Sequence, residues 1–155
     1  MAISLVKTFH LLKTFHLLAA ASVAIVGVSS VGAHAAAPAI AWQASWAKTE
    51  ALAGQKRKPI LLYFGATWCG PCHKLEKETL SQTSVIRASR RWVPFKADLD
   101  EQDDLAARFS IETPPTLLFL DADGRVLEKV VGFYSAAELV EKMESAAQKS
   151  SSPRS

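Results

Sequence analysis

From Ile60 to Phe64 every position is apolar, and Pro59 and Gly65 bound the run, the pattern of a strand buried on both faces of a sheet. Trp92 to Ala97 reads as a second strand. Thr116 to Leu120 and Arg125 to Val131 read as two more, joined through Asp121-Ala122-Asp123-Gly124, whose Asp-Gly step favours a hairpin turn. Helical spacing fills the intervals. Trp42 to Ala53 places Trp42, Trp46 and Ala53 on one side, with Gly54 as its stop. Cys72 to Leu80 reads as helix, a short helix starts at Ser84, and Ser135 to Ala147 presents Leu139, Val140 and Met143 on one face. The order strand, helix, strand, hairpin, helix predicts an α/β domain: a central mixed β-sheet flanked by helices. At 155 residues the chain suits one such domain. The strand-to-helix junction after Gly65 falls at the sheet's carboxyl edge, where these folds place their sites.

The ends of the chain break the pattern. No acidic residue precedes Glu50, and Lys7 and Lys13 lead into an apolar run from Leu17 to about Val31, followed by Ala33-His34-Ala35-Ala36-Ala37. That positive, apolar, small-residue order is that of a secretory signal covering residues 1–37, with cleavage expected after Ala35 or Ala37. The alternative is an uncleaved N-terminal membrane anchor, since residues 14–47 carry no Asp, Glu, Lys or Arg and a bilayer needs only about 20 apolar residues. Either way the body, residues 38–147, is expected outside the cytoplasm, in a periplasmic or comparable oxidising compartment, soluble if the signal is removed. The hexad Lys7 to Leu12 recurs as Lys13 to Leu18 and is taken as part of the export segment. Residues 148–155 read as a disordered polar tail.

Charge excludes one class of function. Without Lys7 and Lys13, the 18 Lys+Arg fall to 16 against 15 Asp+Glu, a near-neutral body with no electrostatic case for nucleic acid. Asp98 to Asp104 holds five acidic residues in seven positions but lacks the glycine and terminal glutamate of an EF-hand loop. Acidic residues at the start of a helix through Leu105 to Phe109 account for it better.

The chemistry concentrates at Trp68-Cys69-Gly70-Pro71-Cys72, which holds both cysteines of the chain. Two cysteines so close cannot staple distant parts of a fold, so their value is local. A thiol attacks as thiolate, and a helix starting at Cys69 would aim unpaired N–H groups and the positive end of its dipole at that sulfur. Cys69 is therefore the expected nucleophile and Cys72 the resolving thiol. Pro71 suits the first helical turn, where its missing N–H costs nothing.

These residues resemble the thioredoxin superfamily, whose active-site motif Trp68 to Cys72 matches residue for residue. Thr113-Pro114-Pro115-Thr116 lies where that family has its cis-proline loop, and Gly132 where a glycine follows the last strand. Within the superfamily the chain is most similar to the thioredoxin-like C-terminal domain of periplasmic thiol:disulfide interchange reductases, through Cys72-His73-Lys74-Leu75-Glu76-Lys77 and Gly132-Phe133. The resemblance implies a thioredoxin-like fold and a catalytic pair, Cys69 and Cys72, spaced by the loop residues Gly70 and Pro71. It also implies substrate contacts at Trp68, Pro114 and Pro115. Two departures stand out. Tyr63 replaces the buried aspartate that assists the resolving thiol, leaving Glu76 and Lys96 either as candidates for proton transfer or as a charged pair on a solvated face. Pro114 replaces a residue that would offer substrate a backbone N–H.

The function expected is thiol–disulfide exchange with disulfide-bearing protein substrates, as a reductase fed by a membrane or soluble dithiol donor. The disulfide is the redox centre, with no further cofactor or metal, and the chain acts as a monomer. Two other classes remain. Cys69-Gly70-Pro71-Cys72-His73 is also a C-x-x-C-H pattern, which would make a covalent haem electron carrier with His73 as axial ligand. A non-catalytic binding module would need no reactive thiols at all. Zinc would lack a fourth ligand, since His10, His16 and His34 all lie in the export segment.

Overall fold

The computed structural model describes residues 38–151. The signal or anchor expected over 1–37 lies outside the described residues, as do Ser152 to Ser155. Helix α1 (Trp46–Lys56) leads into β1 (Ile60–Gly65); α2 (Gly70–Leu75) passes without a break into a π-helical turn (Glu76–Leu80). Then come α3 (Thr83–Ser89), β2 (Val93–Asp98), α4 (Asp103–Arg108), the hairpin β3 (Thr116–Leu120) and β4 (Val126–Val131), and α5 (Ala136–Ser151). The sheet runs β2-β1-β3-β4, parallel between β1 and β2 and antiparallel elsewhere.

All six residues of β1 are buried, because helices cover both faces of the sheet. Alternation sorts them. Leu61 and Tyr63 join a core under α3 and α5 with Leu75, Phe119, Leu139 and Met143, while Ile60, Leu62 and Phe64 join a second core with Ala53, Phe95, Leu105 and Leu118. Leu118 is fully buried at the middle of β3, opposite Leu62. Leu118→Ala should lower unfolding stability by about 2–5 kcal/mol in urea titration at unchanged m-value. A loss under about 1 kcal/mol would mean that this face repacks around the gap.

The N-terminal helix departs from the periodicity. It starts at Trp46, four residues later than expected, because Ser45 is extended (φ −156°, ψ 158°) and its hydroxyl accepts from Lys48 N at 3.3 Å. Trp42 thus precedes the helix and packs against Tyr63 on one sheet face, whereas Trp46 packs against Phe95 and Phe109 on the other. Gly54 lies inside the helix. The stop is Arg57, left-handed at φ 52°, with Lys58 N bonded to Ala53 O and Arg57 N to Gly54 O. At the other end, α5 runs to Ser151, so Gln148 to Ser151 are helical rather than part of a tail. Lys142 and Lys149 both reach Glu128 of β4 at 2.9 Å and fasten those last turns to the sheet.

Candidate active site

Strand β1 delivers the chain to Gly65 at the sheet's carboxyl edge, and a turn closed by Cys69 N to Ala66 O (3.2 Å) aims it into α2. Cys69 is the N-cap of α2, and its sulfur accepts from Cys72 N at 3.2 Å, an N–H shared with Cys69 O at 3.0 Å. Pro71 occupies the first turn, where no donor is lost. Cys69 and Cys72 form a disulfide, with Cα atoms 5.2 Å apart. Both cysteines are buried, Cys72 completely and Cys69 with 3% exposure, which makes Cys69 the less enclosed of the two. Trp68 beside it is 62% exposed, with its indole N–H donating to Asp100 at 2.8 Å.

The remaining site residues reach the same edge through the sheet register. Thr116 pairs with Phe64, one residue before Gly65, so Pro114 and Pro115 emerge where β1 ends. Their peptide bond is cis; Pro115 is buried and Pro114 half-buried. Gly132, in the left-handed region at φ 94°, donates its N–H to Pro115 O at 2.8 Å, and this holds the end of β4 against the loop. Next to it Phe133 is 41% exposed and lies 4.6 Å from the Lys74 ammonium. Lys74 and Phe133 thus form an exposed pair next to Gly132.

His73, on the first turn of α2, turns back to the loop before the motif. Its Nε2 lies 2.9 Å from Thr67 O, and because a carbonyl only accepts, this nitrogen carries the proton.

Beneath the motif, the Tyr63 hydroxyl donates to Glu76 Oε1 at 3.0 Å, and Lys96 Nζ reaches the same oxygen at 2.8 Å. Glu76 and Lys96 are therefore more than a pair on a solvated face: their carboxylate is tied to a fully buried phenol. Burial, and then the charge and hydrogen bond of Glu76, push the Tyr63 hydroxyl far above its ordinary value, so it remains a neutral donor. The phenol tip runs alongside the strand end, where a Cβ on residue 65 would come within 2.8 Å of it, which explains Gly65. Glu76 stands one helical turn after Cys72, and its N–H bonds to Cys72 O.

Asp100 was not singled out by the sequence, which assigned its acidic cluster to a helix start. Only Asp103 and Asp104 serve there, in the first turn of α4. Asp100 follows β2, which is parallel and adjacent to β1, so the carboxyl-edge rule that located Cys69 could have found it too.

The profile of the thioredoxin-like domain family matches residues 46–147. A thioredoxin of Mycobacterium bovis is 36% identical over 86 residues, covering 56% of this chain and 72% of its own length. The thiol:disulfide interchange protein DsbD of Campylobacter jejuni (strain RM1221) is 33% identical over 91 residues, which is 56% of this chain but only 16% of that longer protein. Among solved structures, the reduced C-terminal domain of Neisseria meningitidis DsbD superposes with a TM-score of 0.59 at 26% identity, covering 64% of this chain and 91% of that domain. With a mixed four-stranded sheet and a cysteine pair at the start of the helix after β1, the chain belongs to the thioredoxin-like domain family.

Proposed function

We propose that this protein is an exported dithiol reductase of protein disulfides. The observation that carries the reading is the Cys69–Cys72 disulfide at the N-terminus of α2, with Cys72 completely buried and Cys69 slightly less enclosed. In the reduced protein the Cys69 thiolate attacks a substrate disulfide, forming a mixed disulfide and expelling one substrate thiolate. Cys72, once deprotonated, then attacks Cys69 Sγ. This restores the Cys69–Cys72 bond and frees the second substrate sulfur, so that two electrons and two protons have passed to substrate. A dithiol donor, membrane-bound or soluble, must return them. The dithiol serves as its own redox centre, and one copy suffices for the cycle.

The test is reduction of insulin by the full chain with a dithiol donor, followed by turbidity. Steady turnover supports the reading; a rate no higher than that of the Cys69→Ala/Cys72→Ala protein sinks it and leaves a binding module. A covalent haem carrier would need both sulfurs in thioether bonds and a His73 ring nitrogen on iron, and an optical spectrum of the purified protein separates that reading from this one. Export of residues 38–155 is checked by fusing residues 1–37 to a reporter active only outside the cytoplasm.

Cys69 in the reduced protein should react as thiolate at lower pH than a free cysteine, because its sulfur faces the helix start. Alkylation rates measured across pH report this directly. An increase beginning only above about pH 8 would show that the helix start does not activate the thiol.

Pro114 should weaken the grip on peptide substrates. An extended substrate lying along the Pro114–Pro115 loop finds an acceptor at Pro114 O and no donor, since proline lacks the N–H. Pro114→Thr restores a donor worth about 0.5–1.5 kcal/mol, and should lower KM for a disulfide-bearing peptide by about three- to tenfold. A small disulfide without a backbone should be unaffected. Equal changes for both substrates would assign Pro114 to loop stiffness instead.

A further inference from the structure

The end of the domain remote from Cys69 collects positive charge. Lys56 and Arg57 close α1, Lys58 follows, and Arg90 and Arg91 stand between α3 and β2. Val93 N donates to Pro59 O at 2.8 Å, so these segments meet where the parallel strands β1 and β2 begin. The five side chains surround two adjoining clefts, of about 300 and 430 Å³, with Lys58 and Arg90 common to both. A six-residue strand separates this end from the active site, a distance of roughly 20 Å.

Elsewhere the domain neutralises some of its cations and leaves others, such as Lys77 and Arg87, without an ion pair among the described residues. Lys96, Arg108, Arg125, Lys142 and Lys149 each have a carboxylate partner, whereas among the described residues none of Lys56, Arg57, Lys58, Arg90 and Arg91 makes an ion pair. Three helices end here, α1, α3 and α5, and cations offset the negative ends of their dipoles. That accounts for only part of the cluster, because only Lys58 gives its ammonium to a carbonyl, Arg90 O at 3.2 Å. The acidic run Asp98 to Asp104 begins at the opposite end, where β2 finishes. A body of near-zero net charge is therefore polarised along its strands and would orient in an external field.

We propose that this basic end is a docking face for anionic lipid headgroups, which would hold Cys69 away from the bilayer and toward its substrates. The occupant follows from the chain that leads to it. If residues 1–37 are retained as an anchor, residues 14–37 carry no charged side chain and are long enough to enter a bilayer at about 20 residues. The described chain begins at Pro38, which with Ala39 lines a cleft beside Glu76 and Lys96, and then passes through Ala39 and Ala41 into the first basic cleft with Lys56, Lys58 and Arg90. Lipid phosphates in the two basic clefts would meet guanidinium and ammonium groups, since no carboxylate lines either cleft. Asp121, in the β3–β4 turn on the far side of β1, is bonded to Arg125.

The proposal is independent of the redox reading, and its experiment is scored on vesicles alone. Full-length protein is sedimented with vesicles of phosphatidylcholine, or of phosphatidylcholine and phosphatidylglycerol in equal parts. The apolar N-terminal run can enter both, so the quantity read is the preference for the anionic vesicles. Each cation near the surface is worth about fivefold in partitioning, so Arg90→Gln/Arg91→Gln should cut that preference by about 25-fold. Binding to the neutral vesicles and thiol reactivity should not change. Added salt should weaken the wild-type preference in the same way. Lys56→Gln/Lys58→Gln provides a second, independent pair should the first fold poorly. A preference within about twofold of wild type in both pairs overturns the proposal. So does release from the vesicles by inorganic phosphate or an oligonucleotide at fixed ionic strength, which would make the clefts a site for a soluble anion or for nucleic acid.

Discussion

Cys72→Ala should turn the protein from a catalyst into a trap. Cys69 would still attack a substrate disulfide, but the mixed disulfide could then be resolved only by a thiol from solution. A thiol held one helical turn away acts intramolecularly, and well-oriented pairs reach effective molarities of about 10⁵–10⁸ M. Even if the pair achieves a small part of that, millimolar external thiol leaves release at least ~10³-fold slower. Insulin turnover should fall accordingly, and a disulfide-linked species, cleared by reductant, should accumulate on non-reducing gels. Cys69→Ala should trap little, because Cys72 is fully buried under the loop. Equal or greater capture through Cys72 would reverse the assignment of nucleophile and resolving thiol.

What could be read from the sequence was whatever depends on neighbours in the chain. The β1 run, the Asp-Gly hairpin and the helix start at the cysteine pair are local patterns, and each was found within a residue or two of where it was expected. The final helix was legible at its start, where Ser135 and Glu138 exchange hydrogen bonds as a capping box, and not at its end. Its last turn is held by Glu128, which lies 21 residues away from Lys149. The N-terminal tryptophans failed for the same reason. Trp42 and Trp46 share a helical spacing, but Ser45 caps between them, and which sheet face each ring meets is decided by strands far along the chain. Gly54 is the expected stop residue, yet Arg57 closes the helix, because the turn into β1 has to come where Ile60 can pair with Val93 and Leu120. At the site, the motif was visible in one stretch and Glu76 and Lys96 were named as candidates beside Tyr63, but that one carboxylate oxygen joins all three, and that Asp100 meets Trp68, are contacts across elements that no spacing rule brings together.

That link carries the last prediction. Resolution of the mixed disulfide requires Cys72 to lose its proton inside a buried pocket, and the phenol that stands in for an aspartate at position 63 cannot take it. Tyr63 is held neutral, so its hydroxyl can only position a base. Glu76 follows Cys72 by one helical turn and is oriented by Tyr63 and Lys96, and the prediction is that its carboxylate accepts the proton, directly or through a water. Glu76→Gln keeps the shape and the acceptor for Tyr63 but removes the base. Release of substrate from the mixed disulfide, followed in single-turnover quench experiments, should slow by about 10²-fold, at the low end for a positioned general base because solvent hydroxide can substitute as pH rises. The gap between variant and wild type should therefore narrow toward alkaline pH. Alkylation of Cys69 should not change, and thermal stability should move little, since a half-exposed ion pair contributes about 0–1 kcal/mol. Tyr63→Phe, which leaves Lys96 on the carboxylate, should slow release far less. A purely structural role for Glu76 predicts the reverse pattern, with stability lost and the release rate at neutral pH unchanged; that result would remove Glu76 from the cycle and leave solvent as the base.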